Sequence, residues 1–145
     1  MILYLAMWAR GAAGNQVTRQ VMQENKLYAK NVAERLRQAT DTFHEIICPH
    51  EDPILDKIDD LWLDTRDERL VPIAIQRCYD LLDSCQGIVV FHRGHLSEGM
   101  QYEIERVRQK GMFIYEAEDC TEETIEDLIH AIYEWEEMHD SRLQQ

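Results

Sequence analysis

The sequence predicts an α/β sandwich: one domain over residues 1–145, with a four- to five-stranded, mainly parallel sheet and helices on both faces. Three observations carry that expectation. Short apolar runs alternate with longer segments whose apolar residues recur at helical spacing, as in βα units. Two runs, Ile2 to Ala6 and Ile88 to Phe91, are almost wholly apolar, as strands buried on both faces require. Each of these two runs leads through a glycine-containing turn into a helical pattern.

Taken in order, Ile2 to Ala6 is a β-rich central strand. Met7 to Thr18, with Gly11, Gly14 and Asn15 as turn formers, is a strand-to-helix loop carrying Trp8 and Arg10. Val21, Tyr28, Val32 and Leu36 then repeat at helical spacing to about Gln38, which leaves Arg19, Lys26, Lys30, Arg35 and Arg37 mostly outward. Glu45 to Cys48 is a second short strand, stopped by Pro49. Residues 49–70 are the least regular part and contain eight acids: Glu51, Asp52, Asp56, Asp59, Asp60, Asp64, Asp67 and Glu68. We read them as a solvated acidic excursion with one short helix around Leu55 to Leu63. A lid or a subunit contact is the functional alternative, since connections this long are seldom idle. The acids lack the spacing and the glycine of an EF-hand calcium loop.

Pro72 suits the first turn of the next helix, whose buried stripe is Ala74, Cys78, Leu81, Leu82 and Cys85. Its two cysteines are expected to act as small core hydrophobes. After the strand at Ile88 to Phe91, Ser97 is a good N-cap and Glu98 complements the positive helix end. Met100, Ile104 and Val107 form that helix's stripe. Met112 to Tyr115 is a fourth strand, and Thr121 caps a last helix with the stripe Ile125, Leu128, Ile129, Ile132 and Trp135. The order implies right-handed crossovers and a Rossmann-like, flavodoxin-like arrangement.

The formal charge is 15 − 28 = −13, which disfavours nucleic acid polymers and anionic membranes but leaves a small anionic ligand open. No apolar run approaches a membrane span, and MILYLAMWARG lacks the basic lead of a signal peptide. Cys48, Cys78, Cys85 and Cys120 form no CxxC pair and are read as reduced thiols of a cytoplasmic protein. His44, Cys48, His50, His92 and His95 have metal-ligand chemistry but no fixed pair spacing, so neither a metal nor another cofactor is expected.

Three loops should meet at the carboxyl edge of the sheet, where ligands bind in such folds. They carry Trp8, Arg10 and Gly11; His50 and Glu51; and the stretch from His92 to Gly99. The last has a capping serine, Gly99 and free amides at a helix start, which favour an oxyanion or phosphate. Arg10 offers a bidentate partner for it, and His92 and His95 form a polar rim. Glu103 borders the Met100/Ile104/Val107 stripe: it is either a partly desolvated carboxylate, hence a stronger nucleophile, or a surface partner of Arg106.

The pattern SEGMQYE, Ser97 to Glu103, after the strand GIVVF, resembles the signature of the nucleoside 2-deoxyribosyltransferase superfamily. YLAMWARGA, Tyr4 to Ala12, resembles the first strand and loop of its 2′-deoxynucleoside 5′-monophosphate N-glycosidase branch. The resemblance implies a small-molecule nucleotide or nucleoside as ligand, with Glu103 as nucleophile on C1′ of the deoxyribose and Tyr4 orienting it. Arg10, Ser97 and the Gly99 amide would hold the 5′-phosphate. It also implies a homodimer or higher homo-oligomer. The family places an aspartate about eight residues before a C-D dipeptide; here the dipeptide is Cys85-Gln86 and the aligned position is Cys78. Asp80, two residues on, is the expected substitute, or the role moves to His92 or His95. Trp8 replaces a family serine. A module that binds a nucleotide without cleaving it is the alternative.

Overall fold

A computed structural model of the chain describes residues 1–40 and 44–143, with side chains to His139. Four strands, β1 (Ile2–Ala6), β2 (Glu45–Ile47), β3 (Gly87–Phe91) and β4 (Phe113–Ala117), form one all-parallel sheet. Their order is β2-β1-β3-β4. The chain therefore crosses from β1 to one side for β2 and returns to the other side for β3. That reversal creates a crevice outside the carboxyl ends of β1 and β3.

Alternation along the strands divides the core. Leu3, Leu5, Val89 and Phe91 face α1 (Arg19–Ala39) and α5 (Glu122–Leu143), meeting Ala29, Val32, Leu36, Leu128 and Ile132. Tyr4, Ala6, Ile88 and Val90 face the opposite way, toward α3 (Leu70–Asp83) and α4 (Glu98–Gln109), where they meet Leu82, Met100, Ile104 and Val107. Each such fully buried aliphatic side chain contributes roughly 1.5–3 kcal/mol. Gly87 starts β3 directly opposite Phe113 of β4. A Cβ there would lie 2.8 Å from Phe113 Cβ and 2.9 Å from its carbonyl oxygen. Neither atom moves with a change of rotamer, so Gly87→Ala is expected to cost roughly 2 kcal/mol in urea unfolding.

Two expectations are corrected. On α1 the buried stripe is Met22, Lys26, Ala29, Val32, Ala33 and Leu36, whereas Val21 is exposed. Lys26, expected outward, is buried because α2 (Pro53–Thr65) lies over it and supplies Asp56 at 2.8 Å and Asp59 at 2.6 Å. The short helix expected around Leu55 to Leu63 is α2, but residues 49–70 are more than a solvated excursion, since His50, Leu55 and Trp62 are buried. Asp52 caps α2 by accepting from Leu55 N–H at 3.1 Å, Pro53 starts it, and Trp62 is 1% exposed. Trp62 packs with Val17 and Met22 into a small third cluster apart from the sheet.

Seven of the eight acids are in ion pairs. Glu51 pairs with Arg37, Asp52 with Arg77, Asp56 and Asp59 with Lys26, Asp60 and Asp64 with Arg19, and Asp67 with Arg69. Among the described residues, no helix is long and apolar enough to cross a membrane.

Candidate active site

The crevice at the carboxyl ends of β1 and β3 is a cavity of about 600 Å³, within the range of small-molecule sites. The loop after β1 forms one wall, the short 3-10 turn Pro49–Glu51 after β2 a second, and the start of α4 a third. α2 and α3 close the remaining side with Leu55, Asp59, Ala74 and Cys78.

At the start of α4, Ser97 Oγ accepts from Met100 N–H at 3.2 Å, which fixes the helix end. Gly99 opens onto the cavity, with nothing within 4 Å of the place a Cβ would take. Glu103 stands one turn further on. Its Oε2 is buried and has no hydrogen-bond partner among the described residues. Burial pushes its carboxyl up to about 7, against a smaller opposing effect from a hydrogen bond with Tyr4. Tyr4, 1% exposed on β1, is held well above the ordinary phenol range by burial and then by the field of Glu103. It therefore stays a donor toward the carboxylate. Its hydroxyl also contacts Cys78, whose thiol is pushed up to about 12 by burial and then by Glu103. A carboxylate with one stripped oxygen, a neutral phenol and a neutral thiol thus share the apolar floor of the cavity. Such a carboxylate is poorly solvated and available to a ligand as base or nucleophile.

Arg10 lines the cavity from the loop after β1. Its guanidinium stacks on Trp62 at 3.8 Å and donates to Asn15 Oδ1 at 2.9 Å. Burial lowers its pKa, and Asp59 and Glu68 partly offset this. Trp8 donates its Nε1–H to the carbonyl of His92 at 2.8 Å, and Arg93 covers its ring at 4.7 Å. Gly11 has φ +65°, and a Cβ on it would come within 3.1 Å of the Trp8 ring. Both facts require glycine there. His50 is buried, its Nε2 lies 2.9 Å from the Met7 carbonyl, and burial lowers its pKa, so it is a neutral imidazole at pH 7.

Tyr4, Trp8, Arg10, Gly11, His95, Ser97, Gly99 and Glu103 all line this cavity. Asp80 and His92 do not. Asp80 is exposed on α3 and accepts from Gln76 Nε2 at 2.9 Å. Two residues turn a helix by about 200°, so the face that shows Cys78 to the cavity shows Asp80 to solvent. His92 reaches away to Glu118, 3.2 Å from its Nδ1. Cys78, expected in the core, borders the cavity. Asp59 and Glu68 lie within an acidic stretch whose sequence gives no sign of which acids border the cavity. His44, His50 and His92 stand at separate places, bound respectively to the chain's N-terminal amine, Met7 and Glu118.

No protein-family model and no curated protein sequence matches this chain.

Proposed function

We propose that the cavity cleaves the N-glycosidic bond of a deoxynucleoside 5′-monophosphate, by hydrolysis or by transfer of the sugar, with Glu103 as nucleophile. The observation that carries this reading is the stripped Oε2 of Glu103, buried beside the Tyr4 hydroxyl and one turn beyond the open helix start at Ser97 and Gly99. The Glu103 carboxylate attacks C1′, the C1′–N bond breaks, and its electron pair leaves with the base, which takes up a proton. Water then opens the glycosyl ester and releases deoxyribose 5-phosphate, or a second base accepts the sugar. Tyr4 donates to the carboxylate and fixes its direction. Arg10 and the amides at the start of α4 face the phosphate. The protein acts as a homo-oligomer in this reading, which light scattering would check.

A second reading, a nucleotide sensor of the same fold, is favoured by one specific observation. The position aligned with the family's aspartate is Cys78, a thiol that stays protonated, and Asp80 is turned away. Incubation with each of the four deoxynucleoside monophosphates, followed by chromatography of free base, separates the two. Base release supports the enzyme. Thermal stabilisation by a monophosphate without base release supports the sensor.

A further inference from the structure

α2 helps to close one side of the cavity with Leu55 and Asp59, and charged contacts fasten it to α1. Four carboxylates of α2 reach two cations of α1. Lys26 takes Asp56 at 2.8 Å and Asp59 at 2.6 Å, and Arg19 takes Asp60 at 3.0 Å and Asp64 at 2.5 Å. Arg66, just past the end of α2, donates to the carbonyls of Asn15 and Val17 at 3.0 and 2.8 Å. The apolar share is small: Trp62 packs with Met22 of α1 and with Val17. The segments on either side are held more deeply. Before α2, buried His50 lies 2.9 Å from the Met7 carbonyl, and at the far end of α3 Leu82 and Cys85 belong to the core cluster of the sheet. Asp52, at the start of α2, accepts from Arg77 of α3 at 2.7 and 2.9 Å and ties the two helices together.

We propose that α2 is an electrostatically latched wall, which comes away from α1 when its ion pairs are screened and so opens the cavity from that side. Two features of the contact produce this behaviour. Asp56, Asp60 and Asp64 follow one another at i,i+4, a spacing at which like charges destabilise a helix. Arg19 and Lys26 offset that repulsion only while α2 lies against α1. The pairs also differ in exposure. The Arg19 side chain is 40% exposed and its two partners 65% and 68%, whereas Lys26 is 11% exposed. Salt screens exposed charges strongly and buried ones much less. Release therefore begins at Arg19 and Asp64, beside the connection to α3. Trp62 then loses its cover, and Arg10 loses the ring on which it stacks. Such opening is independent of which ligand the cavity takes.

Two rates measured on the full chain without ligand test this. Tryptic cleavage after Lys57, in the middle of α2, requires that helix to open. Labelling of Cys78 by N-ethylmaleimide, located by mass spectrometry, requires access to the cavity. Each rate is corrected for the effect of salt on a synthetic α2 peptide or on a free thiol. Both should then rise about threefold or more between about 0.05 M and about 0.5 M NaCl. Arg19→Gln should raise both by a similar factor at the lower salt and flatten their salt dependence, and Arg19→Lys should restore part of the latch. Rates indifferent to salt, or an Arg19→Gln variant that behaves as the wild type, overturn the proposal. Cleavage after Lys30 of α1 rising in step overturns it as well, because the whole fold would then be loosening. So does a rise at Lys57 with constant labelling of Cys78, because α2 would open without exposing the cavity.

Discussion

Replacing Glu103 with glutamine should lower the kcat for base release by about 10³-fold or more, because the amide offers no electron pair of comparable nucleophilicity to C1′. The substitution keeps size and shape, and its amide nitrogen can take the place of Oε2, which has no partner among the described residues. Folding and ligand binding should therefore survive, and chromatography of free base would read the loss directly. A variant that keeps a tenth of the wild-type rate would show that another group attacks the sugar. The wild type should also show a kcat/KM that rises with pH through about 7, since the attacking form is the carboxylate and burial holds its pKa there. That rise should be absent from any residual activity of Glu103→Gln.

The same carboxyl should govern a large part of the stability profile. Glu103 binds its proton more tightly in the folded chain, near 7, than at its ordinary value of 4.5. Its contribution to stability is fully present below about pH 4.5 and is lost as pH rises through about 7. Over that window the native state should lose roughly 3 kcal/mol, on the order of 10 °C in Tm for a chain of this size. Carboxyls such as Asp52 and Asp83, held below the usual range by Arg77 and by Arg106 with Lys110, give the opposite slope at more acidic pH. The informative quantity is therefore the difference between wild type and Glu103→Gln. Between pH 5 and pH 8 the variant should gain on the wild type by about three-quarters of that amount. A constant difference across that range would mean that the Glu103 side chain is solvated in solution. A ligand that donates to Oε2 should change the profile too, because it supplies the missing partner.

How far the sequence could be read depended on which force set each feature. Strand alternation and helical periodicity report local burial, so β1, β3, the Ser97 cap and the Met100/Ile104/Val107 stripe were legible. The loops after β1 and β3 could be assigned to one cavity because parallel topology leaves their ends on the same edge. The burial of Lys26 and the inward packing of residues 49–70 were not legible in this way, although the helix around Leu55 to Leu63 was. A lysine is outward by default, and only a second helix laid across it, bringing Asp56 and Asp59, makes burial tolerable. That contact joins positions thirty residues apart and leaves no periodic trace. His92 and Asp80 failed for a related reason. Proximity along the chain to a functional stretch does not fix a side chain's direction, and a two-residue offset on a helix reverses it.

The stacking of Arg10 on Trp62 links two parts of the molecule with different mechanical standing. Trp62 belongs to a small cluster separate from the two that cover the sheet, so its helix should open in local fluctuations well before the strands do. Arg10 and Asp59 depend on that helix for their positions. Amide hydrogen exchange along α2 should accordingly be faster than in β1 or β3 and should slow selectively when the cavity is filled. Exchange along α2 would then report occupancy of the cavity that holds Glu103.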